Sequence, residues 1–234
     1  FMPEIGGRFS VWSSAGLPIA LSIGSKKYLE FLEGARVVDE HFVNQDGLSN
    51  IPLLTALVGV WNYNFLHCQS LAILCYDQRL RLLPPYLQQL FMECNGKSVT
   101  RSGEECEYST MPVVWGGQAT EGQHAYHQLL HQGTSAFAAD FIAITDKKDP
   151  IAEHRNWLNA HARAQSRVMS EGWNQKSDYE SFKNIRGHHP HTNIVIDQLG
   201  ASELGSLLSY YEHIAFDLGA LWDINSVDQW GVER

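Results

Sequence analysis

Short apolar runs that alternate with helix-length segments are the feature of this sequence that most restricts its fold. Four mostly apolar runs have the length of strands and lie at 71–76, 111–115, 139–145 and 193–198. Such runs are typical of strands buried on both faces, and strands joined through helices pair in parallel. The sequence therefore predicts an α/β fold with a doubly wound, mostly parallel sheet flanked by helices.

The segments around these runs predict the helices. They lie at 50–69, 77–94, 121–132, 151–170 and 202–216. Asn50 and Pro52 fit an N-cap and a first-turn proline, while Pro84 and Pro85 must lie at a helix start or in a kink. In such sheets ligands bind beyond the carboxyl ends of the strands, so a ligand site is expected in the loop 116–124.

The balance of charge excludes two classes of partner. The chain has 17 Lys and Arg residues against 26 Asp and Glu residues, a formal net charge of −9. Such a protein repels nucleic acid and anionic membranes. An anionic substrate would need a local cluster of positive charge or of backbone donors. We therefore expect no nucleic-acid partner and no membrane partner.

The apolar runs are too short to cross a bilayer, which takes about 18 residues. The longest, 51–61, contains Pro52 and Thr55 and predicts a buried helix. The N-terminus lacks the pattern of a secretory signal, and the widely spaced cysteines favour reduced thiols. These features predict a cytoplasmic protein, and the abrupt ends at Phe1 and Arg234 predict a fragment of a longer chain.

Two polar positions are candidates for chemistry. Gly6 and Gly7 allow a tight turn and a close approach to a ligand, and Arg8 directly after them could meet an oxyanion or phosphate. Glu93 lies one turn after Gln89 on one predicted helix face, where a partly apolar setting would suit a general base. From the residues alone, a solvated arginine at a flexible terminus and an exposed helix-end glutamate are the commoner alternatives.

Histidines form two clusters. His124, His127 and His131 have the spacing of one helix face, but three histidines on one helix rarely reach one metal ion, and partner thiolates or carboxylates are not evident. We expect a structural role for His127 and His131. For His124, near a helix start beyond a strand end, a ligand-binding role and a structural role remain equally open. The second cluster, at 188–191, is expected to be a solvated loop.

Four motifs, in their order along the chain, resemble the phosphoglucose isomerase family. The first is GGRFSVWSSAGL at 6–17 and the second is MECNGK at 92–97. The third comprises VWG, GQHAY and HQGT within 114–134, and the fourth is WDINSVDQWGVE at 222–233. The resemblance spans the chain, and four ordered motifs make it specific.

The resemblance implies the interconversion of glucose 6-phosphate and fructose 6-phosphate through an enediolate, a step of glycolysis and gluconeogenesis. Glu93 matches the base that carries the proton, Arg8 the residue that stabilises the enediolate oxygen, and His124 the histidine that helps open the sugar ring. The residues that match substrate-holding positions are Gly7, Gln89 and Gln229. The family uses neither a metal nor an organic cofactor.

The resemblance also implies the domain organisation and the assembly. The fold would be a sugar isomerase (SIS) domain, a Rossmann-like three-layer sandwich. Residues 1–45 would end a preceding SIS domain and its linker, 46–220 would form the second SIS domain, and 221–234 would start a C-terminal helical segment. The family forms homodimers, so His124 would act across the interface.

Parts of the family pattern are missing or changed. The family's Ser/Lys/Thr phosphate loop lies upstream of the first motif, and a lysine follows the last, so this chain alone is expected to show little or no turnover. Val227 stands where an aromatic residue is usual, and 117–121 and 186–190 also differ from the family pattern. A non-catalytic module that binds sugar phosphates and a metal-binding protein that uses the histidines remain the alternatives.

Overall fold

The computed structural model describes residues 5–146, 151–174 and 178–232, and the chain divides into two compact units. The helical unit comprises Phe1–Trp61, Tyr86–Met111 and Leu199–Arg234. The sheet unit comprises Asn62–Pro85 and Pro112–Gln198. The domain boundaries expected from the family resemblance remain a prediction, since they concern domains of the whole family protein.

The sheet unit contains a four-stranded parallel sheet. Its strands are β1 (Ser70–Cys75), β2 (Val113–Gln118), β3 (Ala138–Ile144) and β4 (His191–Ile196), in the spatial order β2-β1-β3-β4. The strand order reverses direction at β1, as in doubly wound sheets. The predicted α/β fold class is confirmed; β4 is shifted by two residues from its predicted run, and β2 begins two residues and ends three residues later than predicted. The expectation of strands buried on both faces is wrong for the two edge strands, since Val113 on β2 is 60% exposed and Val195 on β4 is 61% exposed.

One hydrophobic cluster of the sheet unit packs on one face of the sheet. Its buried members are Ala72, Leu74, Tyr76, Ala119, Leu130, Phe137, Ala139, Phe141, Ala143, Ala162 and Met169. The helix α7 (Ala152–Glu171) packs on β3 and β4, within one residue of the predicted segment 151–170 at each end. Gly116 is required in β2, because its φ is +143° and a Cβ there would lie 2.1 Å from the Ile73 carbonyl oxygen.

Most of the helical unit is built on two long helices. The unit contains α1 (Leu17–Ile23), α2 (Ser25–Asn44), α3 (Ile51–Val60) and α8 (Ala201–Leu221), together with most of α4 (Leu83–Asn95). The helices α2 and α8 pack closely because two glycines face the opposite backbone. A Cβ at Gly34 would lie 1.8 Å from the Ser202 carbonyl oxygen, and one at Gly205 would lie 2.0 Å from that of Phe31.

Proline and asparagine define two helix starts as predicted. The Asn50 side chain accepts a hydrogen bond from the Leu53 amide at 3.2 Å, which caps α3, and Pro84 with Pro85 lies in the first turn of α4. The prediction that 51–61 is a buried helix is wrong for one face of α3. That helix packs on α8, yet Ile51 is 55% exposed. Among the described residues no helix is long and apolar enough to cross a membrane, and all four cysteines are free thiols.

Candidate active site

The first motif folds into two consecutive 3₁₀ turns, Gly7–Trp12 and Ser14–Gly16. The Ser10 hydroxyl donates to the Gly7 carbonyl at 2.7 Å, and the Ser13 hydroxyl donates to the Ser10 carbonyl at 2.6 Å. Local side-chain bonds of this kind stabilise tight turns. The serines of the motif therefore stabilise its own turns.

Arg8 is buried in the helical unit and binds the last turn of α4. Its Nε donates to the Cys94 sulfur at 2.9 Å, and its Nη1 lies 3.4 Å from Oε1 of Glu93. The side chains of Arg8 and Glu93 are 1% and 16% exposed. A solvated arginine and an exposed glutamate are therefore both excluded. Positive charge and a carboxylate lie side by side with little water.

The remaining donors of Arg8 bind the segment after α8. Nη1 donates to the Gln229 side-chain oxygen at 2.9 Å. Nη2 donates to the carbonyl oxygens of Ser226 and Val227 at 2.7 and 3.3 Å. A buried guanidinium requires such partners, because leaving donors unpaired costs roughly 1–3 kcal/mol each. The structure thus brings together Arg8, Glu93 and Gln229 from three distant parts of the sequence.

The helix α4 presents the predicted carboxylate and one of the predicted amides. Gln89 and Glu93 are both in α4, four residues apart as predicted, with Gln89 exposed and Glu93 half-buried. Burial raises the pKa of the Cys94 thiol, while its hydrogen bond from Arg8 acts in the opposite direction. Cys94 therefore acts here as a buried acceptor for Arg8.

Asn95, at the end of α4, connects this helix to α8 and to the segment that follows it. Its Nδ2 donates to the Ala215 carbonyl at 2.8 Å, and its Oδ1 accepts from the Ser226 hydroxyl at 2.5 Å. Gly219 is required beside this contact, since a Cβ there would lie 1.8 Å from the Ser226 oxygen. The two bonds fix the Ser226 carbonyl that Arg8 binds.

Lys97 anchors the same segment from the other side of the helix end. Its ammonium donates to the carbonyls of Glu93 and Cys94 at 3.1 Å each, which is a favourable place for a cation at a helix C-terminus. It also donates to the Asp228 carbonyl at 2.7 Å and pairs with the Asp228 carboxylate at 3.2 Å. Lys97 thereby holds the residue next to Gln229.

A cavity of about 380 Å³ opens beside Arg8 in the helical unit. Its lining residues are Ile5, Gly6, Arg8, Phe9, Trp12, Ser13 and Val227. Gly7 is exposed next to this lining, and a Cβ on it would meet open space. The packing of the chain itself therefore does not require glycine at this position.

His124 lies in the sheet unit, in the loop that follows β2, where the sequence predicts a ligand. The predicted helix 121–132 is broken into α5 (Ala119–Gly122) and α6 (His127–Gln132), and His124 is exposed in the turn between them. Within this turn the Tyr126 ring packs over Gly122, which only glycine allows, since a Cβ there would lie 2.2 Å from the ring. The prediction that His124 shares a helix face with His127 and His131 is wrong.

The other histidines have packing roles. His127 is buried, His131 bonds the Gln165 side chain at 2.8 Å, and burial lowers the pKa of both. The expectation of a solvated loop at 188–191 is wrong for two members. The His189 ring stacks on Phe137, and His191 Nε2 lies 3.0 Å from the Ser166 hydroxyl. The described residues contain no group of three or more His, Cys, Asp or Glu side chains that could hold a metal ion.

The sequence alone did not single out several residues around Arg8. Cys94, Asn95 and Lys97 lie in the second motif, so their clustering there was an available signal. Ser226, in the fourth motif, contributes a backbone carbonyl that its residue type does not predict. These residues support Arg8 and Glu93 through contacts between distant parts of the sequence.

The comparisons with known proteins agree with these motifs. The family model of phosphoglucose isomerase matches residues 1–234. The glucose-6-phosphate isomerases of Shewanella baltica and Shewanella halifaxensis are each 45% identical to this chain over 245 aligned residues. These matches cover 98% of this chain but 45% of each relative. The chain thus spans less than half the length of these relatives.

Solved structures give the same result. A glucose-6-phosphate isomerase from Chlamydia trachomatis superposes on this chain with a TM-score of 0.92 and is 36% identical to it. The match covers 99% of this chain and 46% of the Chlamydia chain. A hypothetical protein from Thermus thermophilus has a TM-score of 0.74 and 24% identity, over 99% of this chain and 54% of its own, and supports the fold alone. With a family model matched from end to end, the chain belongs to the phosphoglucose isomerase family.

Proposed function

We propose that this chain carries the main catalytic residues of an aldose–ketose isomerase that interconverts glucose 6-phosphate and fructose 6-phosphate. The observation that supports this most is the 3.4 Å pair of the half-buried Glu93 with the buried Arg8, which also lines a cavity. Both residues match the family motifs. The Shewanella relatives, of which the chain matches 45%, are named glucose-6-phosphate isomerases.

In this proposal Glu93 moves a proton between C2 and C1 of the open-chain sugar. A hydrogen next to a carbonyl is a weak acid, so its removal requires a well-placed base and stabilisation of the enediolate oxygen. The Arg8 guanidinium provides fixed positive charge beside that base. One preorganised donor of this kind typically contributes about 3 kcal/mol of transition-state stabilisation.

The remaining predicted residues hold the substrate or act on its ring. Gln229 lies 2.9 Å from Arg8, and Gln89 is one turn from Glu93 on α4. Gly7 is free of packing constraints, which fits a wall that a ligand approaches closely. His124 is proposed as the ring-opening acid and base, contributed to the active site of a second subunit in a homodimer.

The proposal also includes the expected setting of the enzyme. It acts in the cytoplasm without a metal or organic cofactor, and the 234 residues alone show little or no turnover. The alternative of a non-catalytic sugar-phosphate-binding module keeps the same fold and differs only in whether Glu93 transfers a proton.

A hybrid enzyme tests the role of Glu93. In it, this chain replaces the matching 45% of the Shewanella baltica relative. A coupled assay should then detect isomerisation. Glu93→Gln keeps the shape and removes the base, so we expect kcat to fall by about 10²–10⁴ with KM nearly unchanged.

Glu30→Gln is the matched control, since Glu30 is exposed on α2. It should leave kcat and KM unchanged. If the kcat of the Glu93→Gln hybrid stays within about tenfold of that of the unsubstituted hybrid, the base is another residue. That result would favour the non-catalytic role for Glu93.

A further inference from the structure

Glu212, in the middle of α8, receives hydrogen bonds from two other parts of the helical unit. The Trp12 indole N–H donates to Oε2 at 2.7 Å, and the Tyr86 hydroxyl donates to Oε1 at 2.8 Å. Trp12 belongs to the first motif and Tyr86 to α4, the helix that carries Glu93. One carboxylate therefore holds together the two segments that supply Arg8 and the proposed base.

Tyr86 has a second acceptor within reach. Its hydroxyl oxygen lies 3.4 Å from the Arg8 backbone carbonyl. A hydroxyl has one hydrogen, so at any moment it donates either to Glu212 or to Arg8. An ionised carboxylate attracts this hydrogen more strongly than a neutral carbonyl does.

The surroundings of Glu212 bring its pKa close to neutrality. Burial raises the pKa of Glu212 to about 7, assisted by Asp39, while the hydrogen bonds from Tyr86 and Trp12 act in the opposite direction. Asp39 is itself bound by the Ser209 hydroxyl at 2.9 Å and by His213 Nε2 at 2.7 Å.

The remaining ionisable groups near the contact lie beyond Tyr86. The Cys94 thiol is close enough to affect Tyr86 electrostatically. The Arg8 guanidinium is engaged with Cys94, Glu93 and Gln229 and meets Tyr86 only through its backbone carbonyl. Glu212 is thus the group that can change the Tyr86 contact.

We propose that Glu212 is a positioning residue for Arg8, acting through the Tyr86 hydroxyl. When Glu212 is ionised, Tyr86 donates to Oε1 and the Arg8 carbonyl lacks this bond. When a proton binds Oε1, the new O–H donates to the Tyr86 oxygen, and the Tyr86 hydrogen turns to the Arg8 carbonyl. Trp12 keeps its bond to Oε2 in both states. The significance for catalysis rests on the proposed role of Arg8, whereas the switch itself does not.

NMR titration of the full 234-residue chain between about pH 5.5 and 8.5 tests the switch without substrate. Three signals are followed: the Glu212 carboxyl carbon, the Arg8 carbonyl carbon and the Phe9 amide nitrogen. We expect all three to change with one midpoint near pH 7. Glu212→Gln should make the Arg8 and Phe9 signals independent of pH. Tyr86→Phe should do the same while Glu212 still titrates.

Asp217→Asn is the matched control, because Asp217 is another acid on α8, and burial raises its pKa to about 6. It should leave the Arg8 titration in place. If Glu212→Gln does not fold, Tyr86→Phe decides alone. An Arg8 carbonyl signal that stays constant in the unsubstituted chain, or that still titrates in Tyr86→Phe, overturns the proposal. Because no turnover is measured, this failure is distinct from a failure of the isomerase proposal.

Discussion

At the scale of single residues, the site depends on the partners that the N–H donors of Arg8 bind. Its donors meet a thiol, an amide oxygen, two carbonyls and the Glu93 carboxylate, all within the helical unit. If Arg8 binds the substrate as proposed, a substrate oxygen has to compete with at least one of these partners. Gln229 and Glu93 share Nη1, so we infer that this nitrogen is where a substrate oxygen would enter.

Glu212 gives a pH-dependent prediction for stability. Its pKa of about 7 in the folded chain lies above its ordinary value of 4.5, so the stability that it contributes is present below pH 4.5 and is lost as pH rises through 7. Glu212→Gln removes this loss, because glutamine does not titrate. The unfolding free energy of the variant minus that of the unsubstituted chain should therefore be roughly 2 kcal/mol larger at about pH 8 than at about pH 5, allowing for solvent screening.

Urea unfolding of both chains at the two pH values measures this difference. Glu30→Gln, on the exposed face of α2, should show the same pH dependence as the unsubstituted chain. If the difference in unfolding free energy between Glu212→Gln and the unsubstituted chain is the same at both pH values, the pKa of Glu212 is not raised in the folded chain.

At the scale of elements, the close packing of α2 on α8 supports the segment that Arg8 binds, since that segment follows α8. Gly34→Ala places a methyl group against the Ser202 carbonyl, and two helix backbones cannot yield easily. We expect a loss of about 1–3 kcal/mol in unfolding free energy. Gly7→Ala, which meets open space, should change it by less than about 0.5 kcal/mol in the same urea experiment. Equal effects of the two substitutions would contradict this packing account.

The sequence predicted the bounds of helices and strands well where the spacing of apolar residues determines them. The strands β1 and β3 and the helix α7 lie within one residue of their predicted bounds at each end. It failed for the predicted helix 121–132, which the structure divides into α5 and α6, with the Tyr126 ring packed on Gly122 in the turn between them. The exposed face of α3 has no counterpart in the sequence pattern, because that helix is apolar on all sides.

The residues of the site that belong to the family motifs could be predicted from the sequence. Arg8, Glu93 and Gln229 were expected to act together, and the structure brings them into contact. Their supporting contacts were not predictable, because backbone carbonyls such as that of Ser226 leave no mark on the sequence. Glu212 lies outside the four motifs, and only the fold brings it to Trp12 and Tyr86.

At the scale of the whole molecule, the family motifs are distributed over both compact units. Arg8, Glu93 and Gln229 belong to the helical unit, and His124 belongs to the sheet unit. The chain carries a net charge of −9, yet the helical unit buries the positive side chain of Arg8 beside the cavity.

The transfer of deuterium from solvent to substrate tests the central claim most directly, that Glu93 carries a proton between two carbons. The hybrid enzyme in D₂O should place deuterium at C2 of glucose 6-phosphate, because a carboxyl that holds the abstracted proton exchanges it with solvent. Glu93→Gln should slow this incorporation at least about 100-fold. Incorporation that continues within about tenfold of the unsubstituted rate would contradict the account.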